Sequence, residues 1–299
     1  MDRALAWFAS HRRASTVLIA AYVLAVSTQH EEVQGFVIAA MQKATANAWL
    51  TAVGWTFRLV FLAVTIFLLH RVLGSEGGRR KAAYWTVTVV FTFAAVRWLS
   101  VNNNEFVHFL QYALLTFPIF SLSRSFGQTA VWTTLCGAFD EGWQYAVLHA
   151  GWGIPYDFND VIMNSCGAGL GVVWICSTAS MVPVSPAWRA FLQGQWSGWG
   201  WRTALGLLAV GLLLLASGQM MIYEPKSGPK PLLSLSRLEP KPFWFFDATW
   251  GPKAFHILHP VEGVLLMGFL FCVYSTLDRQ WKWTGGPTRI QREAEPPNR

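Results

Sequence analysis

Residues 157–181 read DFNDVIMNSCGAGLGVVWICSTASM, a stretch of apolar and small residues that begins with two carboxylates. At a rise of about 1.5 Å per residue, the 160–181 portion is long enough for a helix that crosses a bilayer. Asp157, Asp160 and Asn164 recur at i, i+3 and i+7, which places them on one helical face. The stretch therefore predicts a membrane-spanning helix with a polar stripe over its first turns.

The composition of the whole chain agrees with such a helix. Of its 299 residues, 53% are hydrophobic and only 13% are charged, about half the charged fraction of a soluble domain. Eight separate stretches are apolar and long enough to span a membrane, namely 14–29, 48–70, 82–101, 106–123, 129–149, 160–181, 201–221 and 256–276. We therefore predict an all-α fold, a polytopic membrane helix bundle of about eight transmembrane helices, and disfavour a water-soluble enzyme.

The distribution of basic residues predicts the orientation. With eight spans, 15 of the 23 Lys and Arg residues lie on the side that holds both termini, six lie on the opposite side, and Arg58 and Arg97 lie within spans. Because basic residues collect on the cytoplasmic side, we expect both termini to be cytoplasmic. The net charge of +7 then needs no nucleic acid partner.

Two segments outside the predicted spans have their own character. Residues 30–47 mix apolar and polar positions at helical spacing, which predicts an interfacial helix. Residues 222–255 carry six prolines and the aromatic run 243–246, which predicts an irregular loop that acts as a lid or a docking surface.

Polar side chains concentrate at one end of the fourth, fifth and sixth predicted spans. Unpaired charges in hydrocarbon cost about 2.5–3.5 kcal/mol each, so we expect these groups to share a partly hydrated, outward-facing pocket. The candidate ligand-binding residues are Glu105, His108, Tyr112, Asp140, Glu141, Gln144, Asp157, Asp160 and Asn164.

Simpler roles compete with the pocket for several of these residues. Asp157 and Asp160 also suit the N-cap of the sixth span, where a carboxylate accepts hydrogen bonds from free backbone N–H groups. His108 taken alone suits a structural histidine. Asn164 lies too far into the predicted span to cap it.

Small residues predict close helix packing around the same region. Gly167 and Gly171 form a G-x-x-x-G step, and Gly137 and Gly142 flank the acidic pair of the fifth span. Small side chains let helix backbones approach each other in membranes.

Taken together, the three polar segments resemble the VanZ-like family, which is named for a teicoplanin-resistance protein. The resemblance rests on Glu105-x-x-His108-Phe109-x-Gln111-Tyr112-x-x-Leu115, on Asp140-Glu141-x-x-Gln144, and on Asp157-x-x-Asp160-Val161-x-x-Asn164-x-x-Gly167-x-x-x-Gly171. It covers about residues 82–181. It implies a protein of the bacterial cytoplasmic (inner) membrane with a polar pocket in the outer leaflet, but no settled reaction.

The resemblance is incomplete at one position and divides the chain into three parts. Members usually carry an Arg shortly before the position of Asp157. Residues 151–156 of this chain contain no basic residue, which argues against an anion-binding site that would use such an Arg. The expected organisation is a two-helix extension with the interfacial helix (1–81), a VanZ-like four-helix unit (82–181), and a two-helix extension with the aromatic loop and a cytoplasmic tail (182–299).

A second candidate site lies at the start of the eighth span. His256 and His259 at i, i+3, together with Glu262, form a weak candidate metal site. The alternative is a pair of interfacial histidines beside Pro260, a residue typical of the first helical position.

Two function classes follow from these patterns. The first is a pocket that binds the head group of a membrane lipid or lipid-linked glycan of the envelope. Catalysis there would need a tuned general base or a bound divalent metal ion, and the residues leave open whether any reaction occurs. The alternative is a non-catalytic accessory or scaffold subunit with protein partners in the membrane. Transport is disfavoured because the polar stripes stop near one face.

Overall fold

A computed structural model gives the fold of the chain. It describes residues 1–43, 46–75, 77–101, 103–150, 153–185, 187–229, 231–237, 239–246 and 253–285.

The described chain is mostly helical. The helices are α1 (Asp2–Ser10), α2 (Arg12–Lys43), α3 (Ala46–Leu73), α4 (Gly78–Trp98), α5 (Val107–Ser123), α6 (Phe126–Trp143), α7 (Phe158–Thr178), α8 (Trp188–Ser197), α9 (Trp199–Ala216) and α10 (Pro260–Ser275). The short strands are β1 (Met181–Pro183), β2 (Met220–Tyr223), β3 (Leu233–Ser236) and β4 (Trp281–Trp283). A mostly α-helical fold is therefore confirmed, with two small two-stranded sheets added.

Apolar helices suited to a membrane are present. Within the described residues, four segments are both long and apolar enough to cross a bilayer: Gly54–Leu73, Phe158–Thr178, Trp199–Ala216 and Pro260–Arg279. Each of the eight predicted stretches overlaps one helix. The structure thus supports a membrane protein, with four spans by length and composition.

The prediction of a helix over 30–47 is confirmed for residues 30–43, whereas the interfacial position of this helix stays a prediction. Helix α2 continues without a break from the first predicted span to Lys43, and residues 44 and 45 lie outside the described residues. The physical reason is the lack of a helix breaker, because residues 27–43 contain no proline and only Gly35.

Helix α7 lies at the centre of the bundle and packs against α4, α5, α6 and α10. Of the residues in its apolar 18-residue stretch, 83% are buried. A Cβ added to Gly167 would lie 2.9 Å from the backbone oxygen of His108, and one added to Gly171 would lie 2.5 Å from that of Ala113. The predicted G-x-x-x-G packing is confirmed, and it allows the backbones of α7 and α5 to pack in close contact.

The end of the bundle that holds the N-terminus is closed by polar contacts. Asp2 accepts hydrogen bonds from the backbone N–H of Ser180 at 3.0 Å and from the indole N–H of Trp283 at 3.0 Å. Strands β1 and β4 pair antiparallel beside this contact. Helix α1 is thereby fixed to the segment that follows α7 and to the segment that follows α10.

The segment 222–255 is less irregular than predicted. Strand β3 lies within it and pairs in parallel with β2, with Met220 opposite Leu233. An isolated bridge joins Ser236 to Pro155, so this part of the segment lies over the chain that leads into α7. Its residues 230, 238 and 247–252 lie outside the described residues.

Candidate functional site

The predicted polar stripes meet where α5 begins, α6 ends and α7 begins. We call the group formed by His108, Asp140, Glu141, Gln144 and Asp160 the carboxylate cluster. His108 and Asp140 are 2% and 1% exposed, and Glu141 is 3% exposed. Asp160 is the most accessible, with 18% of its side chain exposed. The cluster therefore reaches the surface mainly through Asp160.

Asp140 is held by two neighbouring side chains. The Tyr112 hydroxyl donates to Asp140 Oδ2 at 2.9 Å, and the Gln144 amide donates to Asp140 Oδ1 at 3.2 Å. The same Gln144 nitrogen lies 3.4 Å from Glu141 Oε1. Tyr112 is thus a positioning contact for Asp140, and Gln144 links the two acids of α6.

His108 and Asp160 connect α5 to α7 across the cluster. His108 Nε2 lies 3.5 Å from Asp160 Oδ2. Each of His108, Glu141 and Asp160 offers one ligand atom, and these three atoms lie within 4.8 Å of one another. One nitrogen and two carboxylate oxygens therefore converge from three consecutive helices.

Asp157 has the capping role proposed as its alternative. Its Oδ1 accepts hydrogen bonds from the backbone N–H groups of Asn159 and Asp160 at 2.9 and 3.2 Å. Burial, followed by the neighbouring charge of Asp160, raises the pKa of Asp157 to about 7. Asp157 starts α7 and adds negative charge beside the cluster, while the Asp160 carboxylate points to His108 instead.

Asn164 lies one helical turn deeper than Asp160. Its side chain is 0% exposed and packs on Gly137, where an added Cβ would lie 2.8 Å from the amide nitrogen. Its carboxamide lies beside the His108 ring, close enough to act on it as a hydrogen-bonding group. Among the described residues, however, neither amide atom of Asn164 reaches the distance and angle of an ordinary hydrogen bond. Buried polar atoms usually have hydrogen-bond partners, so we expect the Asn164 amide to form a hydrogen bond in the functional state of the site.

Among the described residues, the acids at this end of the bundle have few hydrogen-bond donors and no Lys or Arg partner. In the part of the chain that the structure describes, no Lys or Arg forms an ion pair with Asp140, Glu141, Asp157 or Asp160. Asp278 at the other end of the bundle provides a contrast. It accepts four hydrogen bonds, from Ser125 Oγ, Phe126 N, Gly127 N and Gln195 Nε2. A buried carboxylate can thus be fully satisfied in this protein, and those of the cluster are not.

Helix α6 ends in a π-helical turn at the cluster. The turn covers Gln144–Leu148, and the His149 N–H donates to the Gln144 carbonyl at 2.7 Å. Such turns occur mostly as single insertions in α-helices and often at functional sites. Here the turn begins at the residue that links the two acids.

Arg237 fixes the end of this turn, a role that the sequence analysis missed. Its guanidinium donates to the carbonyls of His149 and Tyr145 at 2.9 and 3.1 Å and lies 3.9 Å from the Tyr145 ring centre. Basic side chains commonly bind the free carbonyls at helix C-termini. The loop thus supplies a cation at this end of the bundle, where residues 151–156 have none.

Further contacts hold the 222–255 segment over the cluster end. The Tyr156 N–H donates to the Leu235 carbonyl at 2.8 Å, and the Tyr145 hydroxyl donates to the carbonyl of Ser234. The described part of this segment therefore covers the ends of α6 and α7, as a lid would.

Glu105 is the candidate that lies at the margin. It belongs to a 3₁₀ turn, Asn103–Phe106, that precedes α5. Its Oε2 accepts the N–H of Val101 at 2.7 Å. The charge of Glu105 also acts on Lys253, whose pKa is nevertheless lowered, chiefly by burial. Glu105 therefore faces this neighbouring segment.

The second candidate site, formed by His256, His259 and Glu262, is brought together as a helix cap. His256 Nε2 and Glu262 Oε2 lie 2.9 Å apart, and the same oxygen accepts the His259 N–H at 2.8 Å. His259 Nδ1 accepts the N–H of Val261, and His256 Nδ1 bonds with the carbonyl of Phe243. Both ring nitrogens of His256 and one of His259 are thus used to start α10.

Comparison with protein-family models, with curated proteins and with solved structures found no match.

Proposed function

We propose that this chain is a VanZ-like integral membrane protein whose carboxylate cluster binds the head group of an envelope lipid or lipid-linked glycan. One observation carries the proposal. Three consecutive apolar helices bring a histidine and several carboxylates to one buried place, and none of the described Lys or Arg side chains pairs with those acids. Unpaired acids in an apolar bundle lower stability and are therefore typical of functional sites.

The setting of the cluster favours a head group as the ligand. Asp160 is partly exposed at the surface, and α5 carries exposed apolar side chains within two residues of His108, namely Val107 and Leu110, which are 45% and 58% exposed. A lipid lying there can keep its chains on apolar side chains while its polar group contacts the acids.

The proposal includes the orientation expected from the basic residues. About eight spans, with both termini in the cytoplasm, place the cluster at the outer leaflet of a bacterial inner membrane. Gly153→Cys and Arg79→Cys, each in a background without native cysteines, test this with an impermeant thiol reagent. In intact cells we expect position 153 to be labelled and position 79 to be protected. The reverse pattern would contradict the orientation.

Native mass spectrometry of the gently solubilised full chain tests the binding function. We expect the wild type to retain a lipid, and Asp160→Asn to retain at least about tenfold less, because each polar contact to a buried charge contributes about 1.5–3 kcal/mol. Glu262→Gln, at the α10 cap, is the matched control and should retain lipid like the wild type. Equal retention by all three proteins would place the lipid elsewhere.

A second candidate function is an accessory subunit of a membrane complex. It is favoured by Phe243, Trp244 and Phe246, which are 59%, 50% and 59% exposed outside the helices. Aromatic residues are enriched at protein interfaces. The same spectra distinguish the two functions, because retained protein subunits without retained lipid would favour the subunit.

A further inference from the structure

We infer that His108, Glu141 and Asp160 form a site for one divalent transition-metal ion, of which Zn²⁺ and Mn²⁺ are the candidates to test. The inference deepens the proposed function, since the ion would be the group that contacts a phosphate or hydroxyl oxygen of the head group. It concerns three residues that contribute one ligand atom each from α5, α6 and α7.

The donor set defines the class of ion. One imidazole nitrogen and two carboxylate oxygens suit zinc, manganese or ferrous iron, whereas Mg²⁺ and Ca²⁺ prefer oxygen ligands alone. Three protein ligands with further positions open are typical of metal sites that bind a substrate or water. The set therefore points to an ion that is held by the protein and still accepts a ligand.

The distances require a small adjustment. Ligands at about 2.1 Å from a tetrahedral ion lie about 3.4 Å from one another. The three ligand atoms here lie within 4.8 Å of one another, so they must approach by about 1 Å. Rotation of the Glu141 and Asp160 side chains supplies this movement while the helix backbones, fixed by the close contact of α5 with α7 at Gly167, stay in place.

Asn164 is the independent observation that supports a ligand here. Metal-binding histidines usually donate their second ring N–H to an oxygen acceptor, which fixes the tautomer that binds the ion. The Asn164 carboxamide is fully buried beside the His108 ring and acts on it, but in the described structure its amide atoms fall short of ordinary hydrogen-bond geometry. It can become that acceptor once His108 binds an ion through Nε2.

The neighbouring residues complete the arrangement. Gln144 holds Glu141 and Asp140 together, and Tyr112 holds Asp140 in turn, so Asp140 and Gln144 are positioning residues rather than ligands. The two positive charges of the ion would offset acids that no described Lys or Arg neutralises. The site is thus built to gain from a divalent cation.

The experiment measures the metal content of the full chain in lipid nanodiscs after treatment with EDTA and reloading with Zn²⁺ or Mn²⁺. We expect about one ion per chain. Glu141→Gln and Asp160→Asn should each weaken binding at least about tenfold, because even residues that only support ligands change metal affinity by about 10–100-fold. Glu262→Gln, from the α10 cap, should bind like the wild type. Absence of stoichiometric metal, or loss caused by Glu262→Gln alone, would overturn the site.

X-ray absorption of the Zn²⁺-loaded wild type gives a test that needs no variant. One imidazole and otherwise oxygen ligands are expected, whereas two imidazoles or none would overturn the assignment. The result is also separable from the proposed function. A chain that retains lipid but binds neither ion refutes the metal site alone, and a chain that binds an ion but retains no lipid refutes the head-group function alone.

Discussion

Helices α7 and α9 have almost the same hydropathy and opposite surroundings. Their mean hydropathies are 1.5 and 1.6. In the apolar 18-residue stretch of each helix, however, 83% of the α7 residues are buried but only 6% of the α9 residues are. The apolar face of α9 consists of large side chains, including Leu207 and Leu213, which are 57% and 69% exposed. The middle of α7 instead contains a run of small residues, Ser165 to Gly169 and Gly171, all of them buried.

The difference shows that residue size, more than hydropathy, separates the interior of this bundle from its periphery. Hydropathy measures transfer into an apolar medium, and protein interior and lipid are both apolar. Small residues allow helices to approach, and polar residues then find partners inside the bundle. The four predictions below test this contrast, from the largest expected effect to the smallest.

The largest effect is expected from adding volume to α7. Gly171→Leu should lower the free energy of unfolding by about 3 kcal/mol, because the first added carbon already lies 2.1 Å from Thr116 Oγ1. Gly206→Leu in α9 is the matched control, since nothing lies within 4 Å of a Cβ there. Unfolding in mild detergent compares the two. Equal losses would show that α9 is also packed in the protein.

The acids of α6 should differ in their contribution to stability. Asp140→Asn should lower the free energy of unfolding by about 2 kcal/mol, because it places an amide where Tyr112 and Gln144 both donate to a carboxylate. Glu141→Gln should lower it by less, since among the described residues Glu141 accepts one hydrogen bond, from Gln144. Thermal unfolding of both variants checks this order. Indistinguishable losses would contradict the separate roles of the two acids.

His108 and Asp160 should be energetically coupled across α5 and α7. A double-mutant cycle with His108→Ala and Asp160→Asn should give an interaction energy of roughly 0.5–3 kcal/mol, as is usual for residues that share a network. The peripheral pair Cys272→Ser and Gly206→Ala serves as the control and should be additive within about 0.5 kcal/mol. If the effects of His108→Ala and Asp160→Asn were additive as well, the two residues would contribute to stability independently, through packing and capping.

The smallest effect is expected at the end of the bundle that holds the N-terminus, where Asp2 fixes α1. Burial raises the pKa of Asp2, but hydrogen bonds from Ser180 and Trp283 outweigh it and hold the pKa below its ordinary value of 3.8. The folded state therefore favours the ionised form. Its stabilisation is present above pH 3.8 and is lost as the pH falls through the lower pKa of the folded state.

Asp2→Asn should accordingly cost about 0.5–1 kcal/mol at pH 6, and the difference from the wild type should shrink towards pH 3. Unfolding at the two pH values measures it, with Glu239→Gln, at an exposed ion pair with Lys226, as the control that should stay close to the wild type. A cost that grows on acidification would have the wrong sign and would exclude the proposed hydrogen bonds.

Local spacing in the sequence was enough for some features and not for others. The G-x-x-x-G packing of Gly167 and Gly171 and the capping role of Asp157 could be predicted, because helical periodicity and cap chemistry act within a few residues. The continuation of α2 through residues 30–43 was missed because a polar run was interpreted as an end, although no breaker follows it.

The contacts of Arg237 and Asp278 could not be predicted, because they join residues far apart in the chain. Arg237 binds carbonyls 88 and 92 positions away, and Asp278 accepts from residues 83 to 153 positions away. No spacing rule links such residues. A cation in a loop and an acid near a helix end were the only local signals, and many surface residues share them.

The π-helical turn at Gln144–Leu148 has a consequence for how this chain tolerates changes in length. A π turn carries one residue more than the α turn that it replaces. Because the extra residue lies within a single turn, its deletion would restore a regular α turn and leave the chain that follows nearly in its present rotation. A deletion elsewhere in α6 would instead rotate everything that follows by about 100° and move Tyr145 and His149 away from Arg237. The turn is thus the place where this part of the chain can change its length by one residue with the least disturbance, and homologous sequences should be aligned with their length difference placed there.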